Sequence, residues 1–234
     1  MTNNHDFNLR QLTAIALALG DLLPRVTFVG GCTTALLVDE AAYSGIRHTE
    51  DVDVIVDLAT YLDVEHFSQA LRQRGFKEDS ASKVICRWLY PAALNTLKVD
   101  VMPIDENGLG FTNRWYRGAM DTALSHSLND DLSISVVNPV YFLATKFEAF
   151  KGRGNGDYAA SHDMEDIVFV LENRNGIIRE LMDAPSELKA YFAEQASQLF
   201  NDDFLNVLPG LMSFQGASNP VLNMLQIMAA WPKD

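Results

Sequence analysis

Apolar and polar positions follow two different periodicities in the first part of the chain. Leu12, Ile15 and Leu19 belong to a series at helical spacing that stops at Pro24, which predicts a helix over 8–23. Short apolar runs at strand spacing follow, separated by helical stretches and turns. They predict strands over 26–29, 51–57, 83–90, 96–102 and 133–137, and helices over 31–38 and 63–74.

The pattern changes at Asn138-Pro139, where a good N-cap residue precedes the residue favoured at the first helical position. Helical spacing then continues almost to the end of the chain and predicts helices over 139–151, 161–173, 176–183, 186–200 and 219–230. Mixed strands and helices followed by helices alone indicate an α+β fold. We expect a small mixed β-sheet core with flanking helices over 1–137, and a helical C-terminal domain over 138–234.

The composition is that of an ordinary globular protein, with 48% apolar and 21% charged residues among 234. No apolar run reaches the ~18–20 residues of a bilayer span, and the first residues lack a basic stretch leading into an apolar segment. We therefore expect a cytoplasmic protein without a membrane partner. Cys32 and Cys86 have no metal-site spacing and suggest small, reduced, buried side chains.

The formal net charge of −13 disfavours broad, nonspecific binding to nucleic acid, because the protein would repel phosphates at long range. It leaves room for a local basic groove around Lys146, Lys151 and Arg153, or around Arg114 and Arg117. The charge therefore lowers the expectation of an RNA or DNA substrate without excluding one.

A glycine pair follows the apolar run 26–29, where the predicted strand turns into a helix. Because glycine has no Cβ, Gly30 and Gly31 let the backbone approach a ligand closely, and the N–H groups at the following helix start can face phosphate oxygens. The pair predicts a phosphate-binding turn; the simpler interpretation is a turn without a ligand.

Acidic residues interrupt two of the predicted strands. Asp51 and Asp53 alternate with buried valines, so both carboxylates lie on one face, and Asp100 has the same setting in the strand over 96–102. Asp is disfavoured inside strands, and adjacent carboxylates repel each other unless a cation lies between them. Hard oxygen ligands favour magnesium. If the two strands pair, the three carboxylates form the set that two-metal phosphoryl transfer requires, which predicts chemistry on a nucleoside triphosphate.

Four motifs in this order resemble the DNA polymerase beta-like nucleotidyltransferase superfamily, and most resemble its AbiEii/AbiGii branch of type IV toxin components and MenT-like toxins. The motifs are Gly30-Gly31-Cys32-Thr33, Arg47-His48-Thr49-Glu50-Asp51-Val52-Asp53, Lys146-Phe147-Glu148-Ala149-Phe150-Lys151-Gly152-Arg153 and His162-Asp163-Met164-Glu165-Asp166. The resemblance covers about residues 26–173 and leaves the remainder of the chain without a counterpart.

The resemblance implies a role for each matching residue. Gly30, Gly31 and the Thr33 hydroxyl would touch the triphosphate, and Arg47 would clamp a phosphate as well. Asp51 and Asp53 would bind Mg²⁺, while Asp100 would complete the metal site and activate the acceptor hydroxyl.

On the later helices, Lys146 would reach the phosphates, and Asp163 or Asp166 would orient that lysine or contact the nucleotide. Each of these three charged residues also has a simpler interpretation, as part of a surface stripe or as a favourable charge near a helix start.

The resemblance leaves the acceptor open. The toxin-like branch implies a tRNA end or a protein, together with a cognate antitoxin. A small-molecule acceptor, as in aminoglycoside or lincosamide nucleotidyltransferases, is the alternative, and an acidic protein would attract a polycation. A different class of function is a non-catalytic protein that binds a nucleotide or an antitoxin without turnover.

Overall fold

The computed structural model describes residues 3–92, 95–213 and 219–233. Contacts between residues divide the chain into two compact units. The first contains Met1–Leu36 and Ile46–Asn138, and the second contains Leu37–Gly45 and Pro139–Asp234.

The first unit is built on one mixed seven-stranded sheet. Its strands are β1 (Val26–Val29), β2 (Asp51–Val56), β3 (Lys77–Glu78), β4 (Arg87–Pro91), β5 (Thr96–Pro103), β6 (Leu124–Asn129) and β7 (Leu132–Val136). They lie in the order β3-β4-β5-β2-β1-β7-β6. Strand β2 runs parallel to β5 and β1 runs parallel to β7, whereas the other neighbours are antiparallel. The predicted α+β class with a mixed sheet is confirmed.

Helices flank the sheet and make up most of the second unit. They are α1 (Asn4–Leu19), α2 (Thr34–Leu37), α3 (Tyr61–Gln73), α4 (Glu106–Leu109), α5 (Tyr116–Asp121), α6 (Pro139–Arg153), α7 (His162–Asn173), α8 (Ile177–Met182), α9 (Ser186–Gln198), α10 (Asp202–Leu211) and α11 (Pro220–Ala229). The C-terminal part is helical, as the sequence predicts. None of the helices in the part of the chain described has both the length and the apolar character of a bilayer span.

The centre of the sheet carries the core of the first unit. Phe28, Val52, Val54 and Val99 have no exposed surface. Burying a side chain of this kind stabilises the fold by about 1.5–3 kcal/mol. Because strand residues alternate between faces, these apolar positions fix the opposite face of β2, where Asp51 and Asp53 lie.

A stripe of amides on α1 holds the segment that enters β2. Asn4 Nδ2 donates to the Ile46 carbonyl at 2.9 Å, Asn8 Nδ2 to the Arg47 carbonyl at 3.2 Å, and Gln11 Nε2 to the Thr49 carbonyl at 2.7 Å. Asn8 Oδ1 also accepts from the Thr49 N–H at 3.4 Å. Residues 4, 8 and 11 share one helix face, so the stripe satisfies loop backbone groups just before Asp51.

The segment Leu37–Gly45 is bonded to the helical unit. Asp39 N–H donates to the Asn173 carbonyl at 3.0 Å, and the Asp39 carboxylate accepts from the Asn175 N–H at 2.9 Å. Arg174 donates to the Leu37 carbonyl and to Glu180 at 2.8 Å each. A domain boundary drawn at 137/138 from periodicity alone does not show that this segment is bonded to the helical unit, because the bonded residues are far apart in sequence.

Within the described residues, the sequence pattern misses the strands β3 and β6 and the helices α4, α5 and α10. Strand β6 is an edge strand with mostly exposed side chains, so its sequence has little alternation between apolar and polar residues. Helix α10 contains Pro209 and Gly210 near its end, two residues that weaken a helical signal. Its cap is ordinary, since Asn201 Oδ1 accepts from the Phe204 N–H at 2.9 Å.

We predict that Asn8→Ala lowers the free energy of unfolding by about 1–3 kcal/mol, because it removes the hydrogen bonds of Asn8 to the buried Thr49 N–H and to the partly buried Arg47 carbonyl. Arg10→Ala is the control, since Arg10 is exposed on the same helix. Urea unfolding measures both variants. Equal stability of Asn8→Ala and Arg10→Ala would show that the amide stripe does not support the loop.

Candidate functional site

Three carboxylates lie on one face of two neighbouring parallel strands. Asp53 and Asp100 are register partners across β2 and β5, and Asp51 lies two residues before Asp53 beside Lys98. Directly paired residues in a sheet place their side chains on the same face. We call Asp51, Asp53 and Asp100 the acidic cluster. The structure thus brings together the three acidic residues that the sequence singles out.

Arg87 is bound to this cluster, and it is the residue that the sequence analysis missed. Its Nε and Nη2 donate to Oδ1 and Oδ2 of Asp100 at 2.8 and 2.7 Å, and Nη2 also donates to Asp51 Oδ2 at 2.6 Å. Arg87 and Asp100 are register partners in the antiparallel pair of β4 and β5. The hydrogen bonds to Asp100, followed by the charges of the three carboxylates, raise the pKa of Arg87 above its ordinary value.

The contacts are strong and only partly shielded from water. The side chains of Asp100, Arg87 and Asp51 are 9%, 16% and 30% exposed. Bidentate guanidinium–carboxylate pairs combine charge with matched geometry, which makes them stronger than neutral hydrogen bonds. The available signal in the sequence was Arg87 itself, a charged residue in an otherwise apolar segment that precedes the strand containing Asp100.

The glycine turn is built around Asp53. Gly30 has φ +73° and ψ −175°, a conformation that is essentially restricted to glycine. A Cβ at Gly30 would lie 1.8 Å from Asp53 Oδ2 and 2.6 Å from its Cγ. The absence of a side chain therefore lets the Asp53 carboxylate lie against the turn.

The other predicted triphosphate residues lie within or beside this turn. Thr33 is buried, and its hydroxyl donates to the Gly30 carbonyl at 2.8 Å, so it closes the turn. Gly31 is also buried, and its carbonyl accepts from the Thr34 hydroxyl. Arg47 is partly buried and has a long contact, 3.4 Å, from Nη1 to the His48 carbonyl.

The predicted helix over 31–38 is much shorter in the structure. It consists of a 3-10 turn over Gly31–Thr33 and one α-helical turn over Thr34–Leu37. A helix of this length has few aligned peptide dipoles. Phosphate binding at the turn would consequently depend on individual backbone N–H groups more than on a helix dipole.

Both thiols lie beside the acidic cluster and stay protonated. Burial, followed by the charges of Asp53 and Asp51, raises the pKa of Cys32 far above its ordinary value. Burial, followed by the charges of Asp100 and Asp53, raises the pKa of Cys86 to about 12. Because the thiolate is the reactive form, neither cysteine suits nucleophilic chemistry.

The donor chemistry of the acidic cluster fits magnesium, since carboxylate oxygens are its preferred protein ligands. Its present arrangement does not offer a three-ligand site: within residues 3–92, 95–213 and 219–233, no group of three acidic, histidine or cysteine side chains is placed to share one ion. The contacts of Arg87 use both oxygens of Asp100 and one of Asp51. A cation bound by all three carboxylates would have to replace at least part of these bonds.

The second unit contains its own cluster of charges, which we call the ion-pair cluster: Lys146, Arg153, Asp163 and Asp166. Lys146 Nζ lies 3.1 Å from Asp163 Oδ1 and 2.7 Å from Asp166 Oδ2. Arg153 donates from Nε and Nη2 to the two oxygens of Asp163, both at 2.8 Å. The structure thus pairs Lys146 with both of the carboxylates predicted to orient it.

The members of this cluster differ in their exposure to solvent. The side chains of Lys146, Asp163 and Asp166 are 8%, 5% and 2% exposed, whereas that of Arg153 is 71% exposed. Burial acts to raise the pKa of Asp163, but the hydrogen bonds and charges of Arg153 and Lys146 outweigh it and hold the pKa below its ordinary value.

Comparison with known proteins supplies evidence on the fold. Neither protein-family profiles nor curated protein sequences give a match. Among solved structures, the chain is similar to an antigenic nucleotidyltransferase-like protein from Paracoccidioides brasiliensis, with a TM-score of 0.51 and 18% sequence identity. The similarity covers 87% of this chain and 92% of that chain. At this identity it shows a nucleotidyltransferase-like fold and says nothing about the reaction.

We predict that Gly30→Ala destabilises the protein more than Gly75→Ala does. Both glycines have positive φ, so each substitution introduces backbone strain of about 1–3 kcal/mol. A Cβ at Gly75 meets no atom within 4 Å, whereas a Cβ at Gly30 overlaps Asp53. Thermal unfolding of the two variants isolates this contact. Equal losses of stability in the two variants would show that the Asp53 carboxylate does not depend on the absence of a side chain at Gly30.

A further prediction concerns pH and the ion-pair cluster. Because the pKa of Asp163 is depressed in the folded state, its contribution is complete above about pH 4 and is lost as the pH falls through the folded pKa. Asp163→Asn should lower stability at pH 7 by about 3–5 kcal/mol and should flatten the decline towards pH 3. Urea unfolding across this range, with exposed Asp183→Asn as control, is the measurement. An unchanged slope would contradict the assignment.

Proposed function

We propose that this protein is a nucleotidyltransferase, which moves a nucleoside monophosphate from a nucleoside triphosphate to an acceptor hydroxyl. The observation that carries the proposal is the acidic cluster, with Asp53 against the Gly30 turn and Asp100 beside it on the neighbouring strand. Carboxylates next to a glycine turn are suited to hold a triphosphate together with a divalent cation. The nucleotidyltransferase-like fold supports this interpretation.

Magnesium is part of the proposal, with Asp51, Asp53 and Asp100 as its protein ligands. Bound there, it would offset the charge of the triphosphate and promote ionisation of the acceptor hydroxyl. The backbone of Gly30 and Gly31 would contact the phosphates, with Thr33 holding the turn closed. Arg47 would supply a further positive charge to a phosphate.

The reaction is an in-line displacement at the α-phosphorus. The acceptor oxygen forms a bond to that phosphorus, and the bond to the bridging oxygen of pyrophosphate breaks. Pyrophosphate leaves with the electron pair, and Asp100 receives the hydroxyl proton. Each carboxylate oxygen of Asp100 has more than one lone pair, so a hydrogen bond from Arg87 does not exhaust its capacity to accept.

Lys146 has a separate place in the proposal. As the resemblance implies, it would contact phosphate as a point charge, oriented by Asp163 and Asp166. Its burial and its two carboxylate partners equally suit a structural role. Lys146→Arg keeps the charge and changes the geometry, so a loss of transfer with unchanged thermal stability would support the phosphate role.

For the acceptor, we propose the end of a tRNA or a protein, as in the AbiEii/AbiGii branch that the four motifs resemble, with an antitoxin as the regulating partner. A cationic small molecule such as an aminoglycoside is the second candidate. The observation that favours it is the net charge of −13, which attracts a polycation and repels RNA.

We predict that transfer of label from an α-³²P nucleoside triphosphate requires Asp53. Replacing a residue that only supports a metal ligand typically lowers metal affinity or activity about 10–100-fold. Asp53 is proposed as a ligand itself, so Asp53→Asn should reduce transfer by roughly a hundredfold or more. Asp57→Asn is the matched control, because Asp57 follows β2 on the same alternation but is exposed and paired with Arg117 at 2.8 Å. Each of the four triphosphates is offered with magnesium and either tRNA or an aminoglycoside.

The outcomes separate the candidates. Label on tRNA or on the aminoglycoside identifies the acceptor class, and label on a protein from a cell extract indicates a protein acceptor. Nucleotide binding without release of pyrophosphate in any mixture would favour the non-catalytic alternative. Full activity of a folded Asp53→Asn variant would refute the proposed site.

A further inference from the structure

Arg87 has no role in the proposed transfer, yet it is bonded to two of the three carboxylates of the acidic cluster. Three hydrogen bonds of 2.6–2.8 Å join its guanidinium to Asp51 and Asp100. The backbone position of Arg87 is fixed by its pairing with Asp100 in the sheet. The guanidinium is therefore held where carboxylate oxygens would otherwise be available to a cation.

A guanidinium and a divalent cation compete for such oxygens for two reasons. Each bond to Arg87 occupies one of the lone pairs of the carboxylate oxygens, which leaves fewer of them for a metal ion. In addition, two positive groups a few ångströms apart repel each other, and the partial burial of Arg87 and Asp100 weakens screening by water. Arginine cannot relieve the conflict by losing its proton, because the guanidinium stays charged in proteins at any ordinary pH.

We propose that Arg87 closes the acidic cluster to a divalent cation in the absence of nucleotide, and that a triphosphate opens it. Phosphate oxygens accept the same bidentate pattern of hydrogen bonds as a carboxylate, so a bound triphosphate gives the guanidinium alternative partners. Asp51 and Asp100 then become available to the cation that accompanies the triphosphate. This inference rests on the proposed function, since it concerns the cation and triphosphate of that site.

The exposure of the residues is consistent with an exchange of partners. Asp51 is 30% exposed and Arg87 16% exposed, so the edge of this contact borders solvent and a ligand can approach it. The consequence is thermodynamic coupling: the cation and the triphosphate each bind more tightly when the other is present, by the same factor. Attraction between the cation and the triphosphate contributes to this coupling in any case, so an arginine that only compensates charge would leave the coupling no larger in the wild type than in a variant without the guanidinium.

The experiment measures binding of Mn²⁺ alone from the electron paramagnetic resonance signal of the free ion, in the wild type and in Arg87→Met. Removing the guanidinium should tighten Mn²⁺ binding by roughly tenfold or more, because a neighbouring unit charge and its hydrogen bonds are lost. Lys98→Met is the matched control. Lys98 lies in β5 two residues from Asp100 and is paired with Glu50 at 2.7 Å, so its loss removes a nearby charge without freeing cluster oxygens.

A second measurement tests the coupling. Thermal unfolding is followed with Mn²⁺, with inorganic tripolyphosphate, and with both. In the wild type, the two together should raise the unfolding temperature by more than the sum of the separate shifts. In Arg87→Met, Mn²⁺ alone should give most of the rise. Lys98→Met should behave as the wild type.

Arg87→Lys replaces Arg87→Met in these measurements if Arg87→Met does not fold. Lysine retains the charge but cannot form the bidentate pair, so its Mn²⁺ affinity should exceed that of the wild type by a smaller factor. Mn²⁺ affinity equal to the wild type in the Arg87 variants, or an equal gain in Lys98→Met, would overturn the inference. Transfer activity in the wild type decides the proposed function separately, because cation binding is measured without any acceptor.

Discussion

The pairing of Arg87 with Asp100 and Asp51 is the interaction on which the site depends. Two like charges about 4 Å apart in a partly screened environment repel by roughly 4 kcal/mol, which is comparable with the whole stability of a marginal domain. Strands β2 and β5 nevertheless place Asp53 directly beside Asp100 and Asp51 two residues away. The guanidinium between Asp51 and Asp100 offsets part of this repulsion within the fold itself.

The backbone decides where these charges lie. Gly30 accommodates the Asp53 carboxylate only because it has no Cβ. Asn8 and Gln11 hold the loop that leads into β2, so the position of Asp51 depends on a helix that contributes no charge to the site. The amides and the glycine thus act through geometry, whereas Arg87 acts through charge.

The sequence predicted the parts of this arrangement that follow from alternation within one segment. Asp51 and Asp53 share a face because a strand has a period of two, and the buried Val52 and Val54 on the other face fix which face it is. Alternation does not say which strands are neighbours, so the partnership of Arg87 with Asp100 could not be derived from β4 and β5 separately. The same limit hides the bonds between Leu37–Gly45 and the helical unit, while β6 and α10 were missed because their local signals are weak.

The two charge clusters differ in how their acidic side chains are paired, and the proposal of a cation at the acidic cluster follows from this difference. In the ion-pair cluster, the cations Lys146 and Arg153 are bonded to the anions Asp163 and Asp166, so another positive ion would gain little there. The acidic cluster sets three carboxylates on one face, and the guanidinium of Arg87 is bonded to two of them, Asp51 and Asp100. Asp51 and Asp53 are partly exposed, so hydration lowers the cost of their charges, whereas the buried Asp100 is bonded to Arg87 through both of its oxygens. Carboxylates held close together beside a glycine turn would gain from a cation between them, and this is the physical ground for proposing a metal-bound triphosphate at this site.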